Sequence, residues 1–228
     1  MNTLIRSFIV LLCLVGTSLF AQKSFEGTVS YSMDMTMKEM PPEAAAMLKN
    51  SELILQMKSG HSRMESKTPM SNTISLTDEK NKSYLMLLDV MGTKYLIKSK
   101  PEDLKKEAEK PNVKVKDLPE TKDILGYKCK KAEVTVADPD SKKETTTIVY
   151  YTTDIPYTSQ SHEVFKGLKG FPLEYGINAE NGMQIKFTAK SIVKEKLDDK
   201  IFAVPEGYKE ITAEDLQKEM MKNLGGGQ

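Results

Sequence analysis

Five methionines stand close together near the start of the chain: Met33, Met35, Met37, Met40 and Met47. Thioether sulfur is a soft ligand, and such a group could hold Cu(I). On a β-strand Met33, Met35 and Met37 would share one face, about 6.8 Å apart at ~3.4 Å rise per residue, which is wide for three sulfurs around one ion. The same residues suit an apolar hollow, because an unbranched thioether stem bends to fit chains of varying shape. His61 follows the Lys58-Ser59-Gly60 turn and His162 follows Ser161, but adjacency in sequence is not the geometry of a nucleophile and its base. There is no Gly-x-Ser-x-Gly elbow and no His-Glu-x-x-His pair. Asp198-Asp199 and Glu214-Asp215 sit where acidic residues serve turns and helix starts. The expectation is a protein with no catalytic residues, no cofactor and no metal, with copper binding through the methionines as an alternative.

The elements that would position these residues begin after a leader. Residues 1–21 carry one charge, Arg6, then an apolar run through Leu11, Leu12, Cys13 and Leu14, and end on Ala21 before Gln22. That is the pattern of a cleaved signal peptide, too short in its apolar part to serve as a stable membrane span. Its removal leaves Cys129 as the one cysteine of an exported chain, expected to be a small buried hydrophobe. The 33 Lys+Arg balance 32 Asp+Glu, which argues against a nucleic-acid binder. No domain linker stands out, so residues 22–228 read as one domain.

Strict alternation dominates the chain beyond the leader. Across 25–37, Val29, Tyr31, Met33 and Met35 share one parity, and Thr28, Ser30, Ser32 and Asp34 the other. This is a strand with one buried face. A short helix is expected after Pro41-Pro42. Strands are expected at 53–57, 61–67, 74–77, 84–89 and 94–98, then a charged helix at 101–109. Further strands are expected at 112–117, 122–125 and 127–137, the last with a bulge where its apolar parity changes. Strands at 145–152, at Phe171 to Ile177 and after the Asn181-Gly182 turn complete the sheet. Thr212 can cap a C-terminal helix at about 213–224, with Asp215 reciprocating. About ten antiparallel strands with two or three short helices make a mainly β (α+β) fold.

Several segments together resemble the DUF4412 family of exported bacterial proteins. They are Phe25-Glu26-Gly27-Thr28-Val29-Ser30-Tyr31, Thr121-Lys122-Asp123-Ile124-Leu125-Gly126-Tyr127-Lys128-Cys129-Lys130-Lys131, Thr147 to Thr153 with Asp154-Ile155-Pro156, Phe171-Pro172-Leu173-Glu174 and Phe202-Ala203-Val204-Pro205-Glu206-Gly207-Tyr208. The arrangement is similar to the lipoprotein-carrier fold of LolA and LolB. That resemblance implies a curved antiparallel sheet forming an incomplete barrel, lidded by helices, with an apolar hollow for acyl chains.

The reading is therefore a monomeric periplasmic protein of the cell envelope, with outer-membrane association or secretion as variants. It would bind a hydrophobic ligand, a lipid or acyl chain, or a lipidated envelope protein. The candidate cavity residues are Val29, Tyr31, Met33, Met35, Leu53, Leu55 and Met86. The rival to both ligand and copper is an interaction module with a solid core.

Overall fold

The computed structural model describes residues 25–37, 41–69, 71–90, 92–99, 112–137, 143–156, 165, 167–178 and 182–225. The leader expected at 1–21, the helix expected at 101–109, Met40, His162 and Asn181 lie outside these residues.

Among the described residues, twelve strands form one sheet. They are β1 (Gly27–Thr36), β2 (Glu52–Lys58), β3 (His61–Lys67), β4 (Ser71–Asp78), β5 (Ser83–Val90), β6 (Thr93–Lys98), β7 (Asn112–Ile124), β8 (Tyr127–Ala137), β9 (Glu144–Thr152), β10 (Phe171–Asn178), β11 (Gln184–Lys194) and β12 (Lys209–Glu210). Their spatial order is β12-β6-β5-β4-β3-β2-β1-β11-β10-β9-β8-β7. Two antiparallel meanders thus meet where β1 pairs with β11. Helix α1 (Pro42–Leu48) follows β1, and helix α2 (Ala213–Gly225) closes the chain.

The turns explain the hairpins. Ser59 and Gly60 both have positive φ (44° and 85°), as do Leu125 and Gly126 (51° and 80°). Two left-handed residues make the tight turn whose twist matches that of its flanking strands. Gly27 is required for a different reason. Its φ is +153°, and a Cβ there would lie 2.1 Å from the Val193 carbonyl oxygen on the paired strand. Gly27→Ala is expected to cost about 1–3 kcal/mol, seen as a lower denaturant midpoint. An unchanged midpoint would show that β1 and β11 part there freely.

Three expectations change. The segments expected as strands at 112–117 and 122–125 are one strand, β7. The irregularity expected in β8 belongs instead to β7, where the register shifts between Leu118 and Thr121. Pro119 stands in that gap and has no N–H to give to a ladder. Finally, the curved sheet is open, not closed into a barrel, and not wholly antiparallel: among the described residues the two-residue β12 pairs only with β6, in parallel, and β7 is the other edge. A barrel turns one apolar face inward all round. Here two cores lie on opposite faces.

The larger core occupies what we term the inner face. Val29, Tyr31 and Leu55 meet Val134, Val149, Leu173 and Tyr175 there, and Ile155, Phe165 and Leu168, from the connection between β9 and β10, are buried among them. Phe165 meets Tyr175 edge-on at 4.8 Å and Phe187 stacks on Tyr175 at 4.7 Å. The smaller core joins Ile74, Leu76, Leu87 and Leu96 with Leu85 and Tyr208. These strand residues have the opposite parity, so this core is on the outer face of β4–β6.

The C-terminal segment supplies Tyr208 to this outer core. The Glu26 carboxylate accepts from the Leu197 amide at 3.0 Å, and the Lys58 ammonium donates to the Leu197 carbonyl at 2.7 Å and pairs with Asp199 at 2.8 Å. Phe202 meets the His61 ring at 5.7 Å. Thr212 caps α2, its hydroxyl accepting from the Asp215 amide at 3.1 Å and donating to the Asp215 carboxylate at 2.8 Å. Lys58→Ala is expected to speed hydrogen exchange at Leu197 and leave Val149 unchanged, and high salt should do the same through screening. Equal protection in the variant would mean that the apolar contacts alone hold the segment.

Candidate functional site

Residues directly opposite in paired strands point to the same face of a sheet. Following the register from β1 outward, Val29 faces Leu55, Leu55 faces Met64, Met64 faces Ser75, Ser75 faces Met86 and Met86 faces Ile97. The next row runs Tyr31, Leu53, Ser66, Thr73, Leu88 and Tyr95. On the other side Gly27, Met57, Ser62, Thr77 and Tyr84 align. All of these lie on the inner face. No residue of β1–β6 on that face carries a charge. The charged residues of the same strands, among them Lys58, Arg63, Glu65, Asp78, Asp89 and Lys94, have the opposite parity and lie on the outer face.

The inner face divides into a filled part and a half-covered part. Val29, Tyr31, Met33, Leu53 and Leu55 are buried in the protein's own core, and Met35 packs partly against it. The Tyr31 hydroxyl donates to the Pro172 carbonyl at 2.8 Å, and the Ser66 hydroxyl donates to the Met33 sulfur at 3.7 Å. Six of the seven expected cavity residues therefore meet protein atoms. Met86 is different. It is half-buried, as are Leu88 and Ile97 beside it, and none of the three belongs to either described core. Sequence reasoning passed over Leu88, Ile97, Tyr84 and Ser75. The signal was the shared parity of Tyr84, Met86 and Leu88, obscured because Leu85 and Leu87 are apolar too.

Around Met86 the polar groups are hydroxyls, while at the β6 edge Tyr95 hydrogen-bonds the Glu219 carboxylate, which pairs with Lys209 at 3.4 Å. Ser75 Oγ and Tyr84 Oη lie 3.1 Å apart. On the outer face, by contrast, charges are paired. Burial pushes the Glu65 carboxyl up, but hydrogen bonds from Asn72 and Arg63 outweigh it and hold the group below the usual carboxylate range.

The methionines do not converge as a set in the described residues. Met33 is buried, while Met37 and Met47 are exposed. No group of three or more His, Cys, Asp or Glu suited to a metal is present among the described residues. His61 Nδ1 lies 3.8 Å from an Asp78 carboxylate oxygen.

A second concavity, about 460 Å³, lies near the other end of β1 and is lined by Asp34, Ile148, Tyr150, Glu174, Gly176 and Lys186 among others. The Glu174 carboxylate is held by Lys122 at 2.7 Å and Lys186 at 3.6 Å. The Lys122 ammonium sits 5.2 Å from the centre of the Tyr150 ring. Within this groove the Glu174 carboxylate is thus neutralised by its two lysines.

Cys129 is fully buried, as expected from its being the one cysteine after residue 21. Burial, with the Asp123 charge, pushes its thiol up to about 11 from an ordinary value of 9.0. Burial and the hydrogen bond to Asp117 push Tyr151 up to about 12 from 10.0. In both cases the unfolded chain releases its proton at lower pH than the folded one. The contribution to stability is thus full below pH 9 and is lost as pH rises from about 9 to 11 for the thiol and from about 10 to 12 for the phenol. Denaturant midpoints measured across this range should fall, and Cys129→Ala should remove the earlier limb. A thiol that reacts with a disulfide reagent at neutral pH as fast in the fold as in denaturant would contradict this burial.

Residues 25–208 match the family described as a domain of unknown function, DUF4412. The chain belongs to the DUF4412 family. The match spans the whole of β1 to β11 and stops at Tyr208, the residue that completes the outer core. Helix α2 lies beyond it. No curated protein matches the chain. Among solved structures, the chain is similar to the crystal structure of a DUF1329 family protein from Desulfovibrio piger ATCC 29098. The identity is 8%, the match covers 80% of this chain and 91% of that one, and the TM-score is 0.34. Among the described residues, no helix is long and apolar enough to cross a membrane.

Proposed function

We propose that this DUF4412 protein is an exported, non-catalytic binding protein of the cell envelope that receives an apolar ligand on the inner face of β3–β6. Its mode of action would be that of the lipoprotein carriers its sequence resembles, with an acyl chain laid on a sheet rather than enclosed in a barrel. Residues 1–21 would direct export, and the working form would be a periplasmic monomer without nucleic-acid partners. One observation carries this reading. The uncharged face of β1 and β2, where Val29, Tyr31, Leu53 and Leu55 are buried in the larger core, continues over β3–β6, where Met86, Leu88 and Ile97 stay half-covered. Apolar surface of this kind gains from a partner that removes it from water.

Native mass spectrometry of protein taken from its own envelope tests the reading. A co-purified mass that extracts into organic solvent supports it, and an empty protein under gentle conditions speaks against it. A second reading has an observation of its own: the β1, β2 and β8–β11 part of the inner face is filled by the protein's own side chains, as an interaction module with a solid core would be. An empty protein in that experiment would favour this module.

A further inference from the structure

We infer that helix α2 competes with the apolar ligand for the β6 end of the lane, and that the Glu219 carboxylate is the clasp that holds the helix there. The inference rests on the function proposed above and concerns how the same surface is opened.

The chain is fastened to β6 as far as Ile211 and only lightly beyond it. Tyr208 belongs to the outer core, Lys209 and Glu210 pair with Tyr95 and Leu96, the Glu210 carboxylate accepts from Lys98 at 2.6 Å, and the Ile211 amide donates to the Leu96 carbonyl at 2.9 Å. From Thr212 the polar side chains turn mostly to one another: Thr212 to Asp215, and Lys218 to Glu214 at 2.9 Å and to Asp215 at 3.5 Å. Among the described side chains of α2, Glu219 alone has a polar partner outside the helix and its cap. It accepts from the Tyr95 hydroxyl and from the Lys209 ammonium, the latter at 3.4 Å. A helix with its own cap and its own ion pair one turn apart can leave as a unit, with Thr212 as the hinge.

The clasp stands on the lane's side of the sheet. Tyr95 lies opposite Leu88 on β5 and opposite Lys209 on β12, so both partners of Glu219 belong to the inner face. Leu216 and Glu219, which share one face of α2, are half-buried, while Gln217, Lys218 and Met221 are exposed. An acyl chain that follows the row from Leu88 to the edge of β6 therefore meets Tyr95 and the helix clasped to it. The side chains of Lys209 and Glu219 are 68% and 39% exposed, and an ion pair so open to water holds weakly. Burial of the methylenes of an acyl chain is enough to offset its loss. Since helix and ligand exclude one another, whatever loosens the helix tightens ligand binding by the same factor.

The test is a fluorescence titration of residues 22–228, and of variants of the same length, with the neutral apolar dye N-phenyl-1-naphthylamine. Glu219→Lys, which repels Lys209 and gives Tyr95 no acceptor, is expected to tighten dye binding about fivefold. Thr212→Ala, which removes the cap of α2 and touches nothing in the lane, is expected to tighten it about threefold. Adding the dye to the parent protein is expected to speed hydrogen exchange at the Leu216 and Glu219 amides and to leave Val149 unchanged. Unchanged dye binding in both variants, or slower exchange in α2 when dye is added, overturns the competition while leaving the lane as a binding surface. Dye binding that Met86→Asp does not weaken, or no dye binding by any form, overturns the lane itself, and with it the function proposed above. Circular dichroism of each variant identifies one that has failed to fold, and Glu219→Gln then replaces Glu219→Lys.

Discussion

Phe171→Ala is expected to lower the unfolding free energy by about 3–5 kcal/mol. The ring is fully buried and lies 6.4 Å from that of Phe25. The chain beside it cannot settle into the space left behind, because Gly170 is already pressed against Thr152: a Cβ there would be 2.4 Å from its carbonyl oxygen. A cavity that stays open gives the upper part of the range. Leu87→Ala, in the outer core, should cost about 2–5 kcal/mol. The pair of variants also asks whether two cores on opposite faces make one folding unit. The strands between them are continuously paired, so both variants should shift one common transition in urea. Two transitions, with Leu87→Ala moving only one, would show that β4–β6 and the C-terminal segment unfold separately.

Met86→Asp is expected to reduce co-purified lipid at least tenfold while the protein still folds. Met86 is half-buried and outside both cores, so the carboxylate can reach water in the empty protein. A ligand covering it would strand the charge among the apolar and hydroxyl side chains that surround Met86, and that penalty falls on the complex. Val29→Asp provides the contrast. Val29 is 0% exposed, and a charge there should prevent folding rather than affect loading. If Met86→Asp carries its normal load, the ligand does not sit on this lane.

Much of this architecture is legible from local pattern. The alternation of Val29, Tyr31 and Met33 against Thr28, Ser30 and Ser32 assigns β1 its faces without any partner, because successive side chains on a strand point opposite ways. Ser59-Gly60 marks a hairpin for equally local reasons, and Thr212 with Asp215 marks the start of α2. Strands with apolar residues at both parities are harder. In β5, Leu85, Met86, Leu87 and Leu88 are consecutive, and alternation cannot say which pair faces a core.

The candidate site shows the same division. Val29, Leu55 and Met86 do lie along one row of the sheet, but being on a row does not say what covers it. Phe165 and Leu168, far along the chain, join the core in which the row's Val29 end is buried, and Tyr208 closes a core on the opposite face. By itself the sequence determined which side chains share a face within a strand and where the chain reverses, since both depend on a few neighbouring residues. Only the tertiary structure decided which faces are filled, that the sheet stays open, and that Met86 is half-buried where Tyr31 is fully covered. Those outcomes depend on contacts between segments more than a hundred residues apart, such as Tyr31 with Pro172, and no local pattern encodes them.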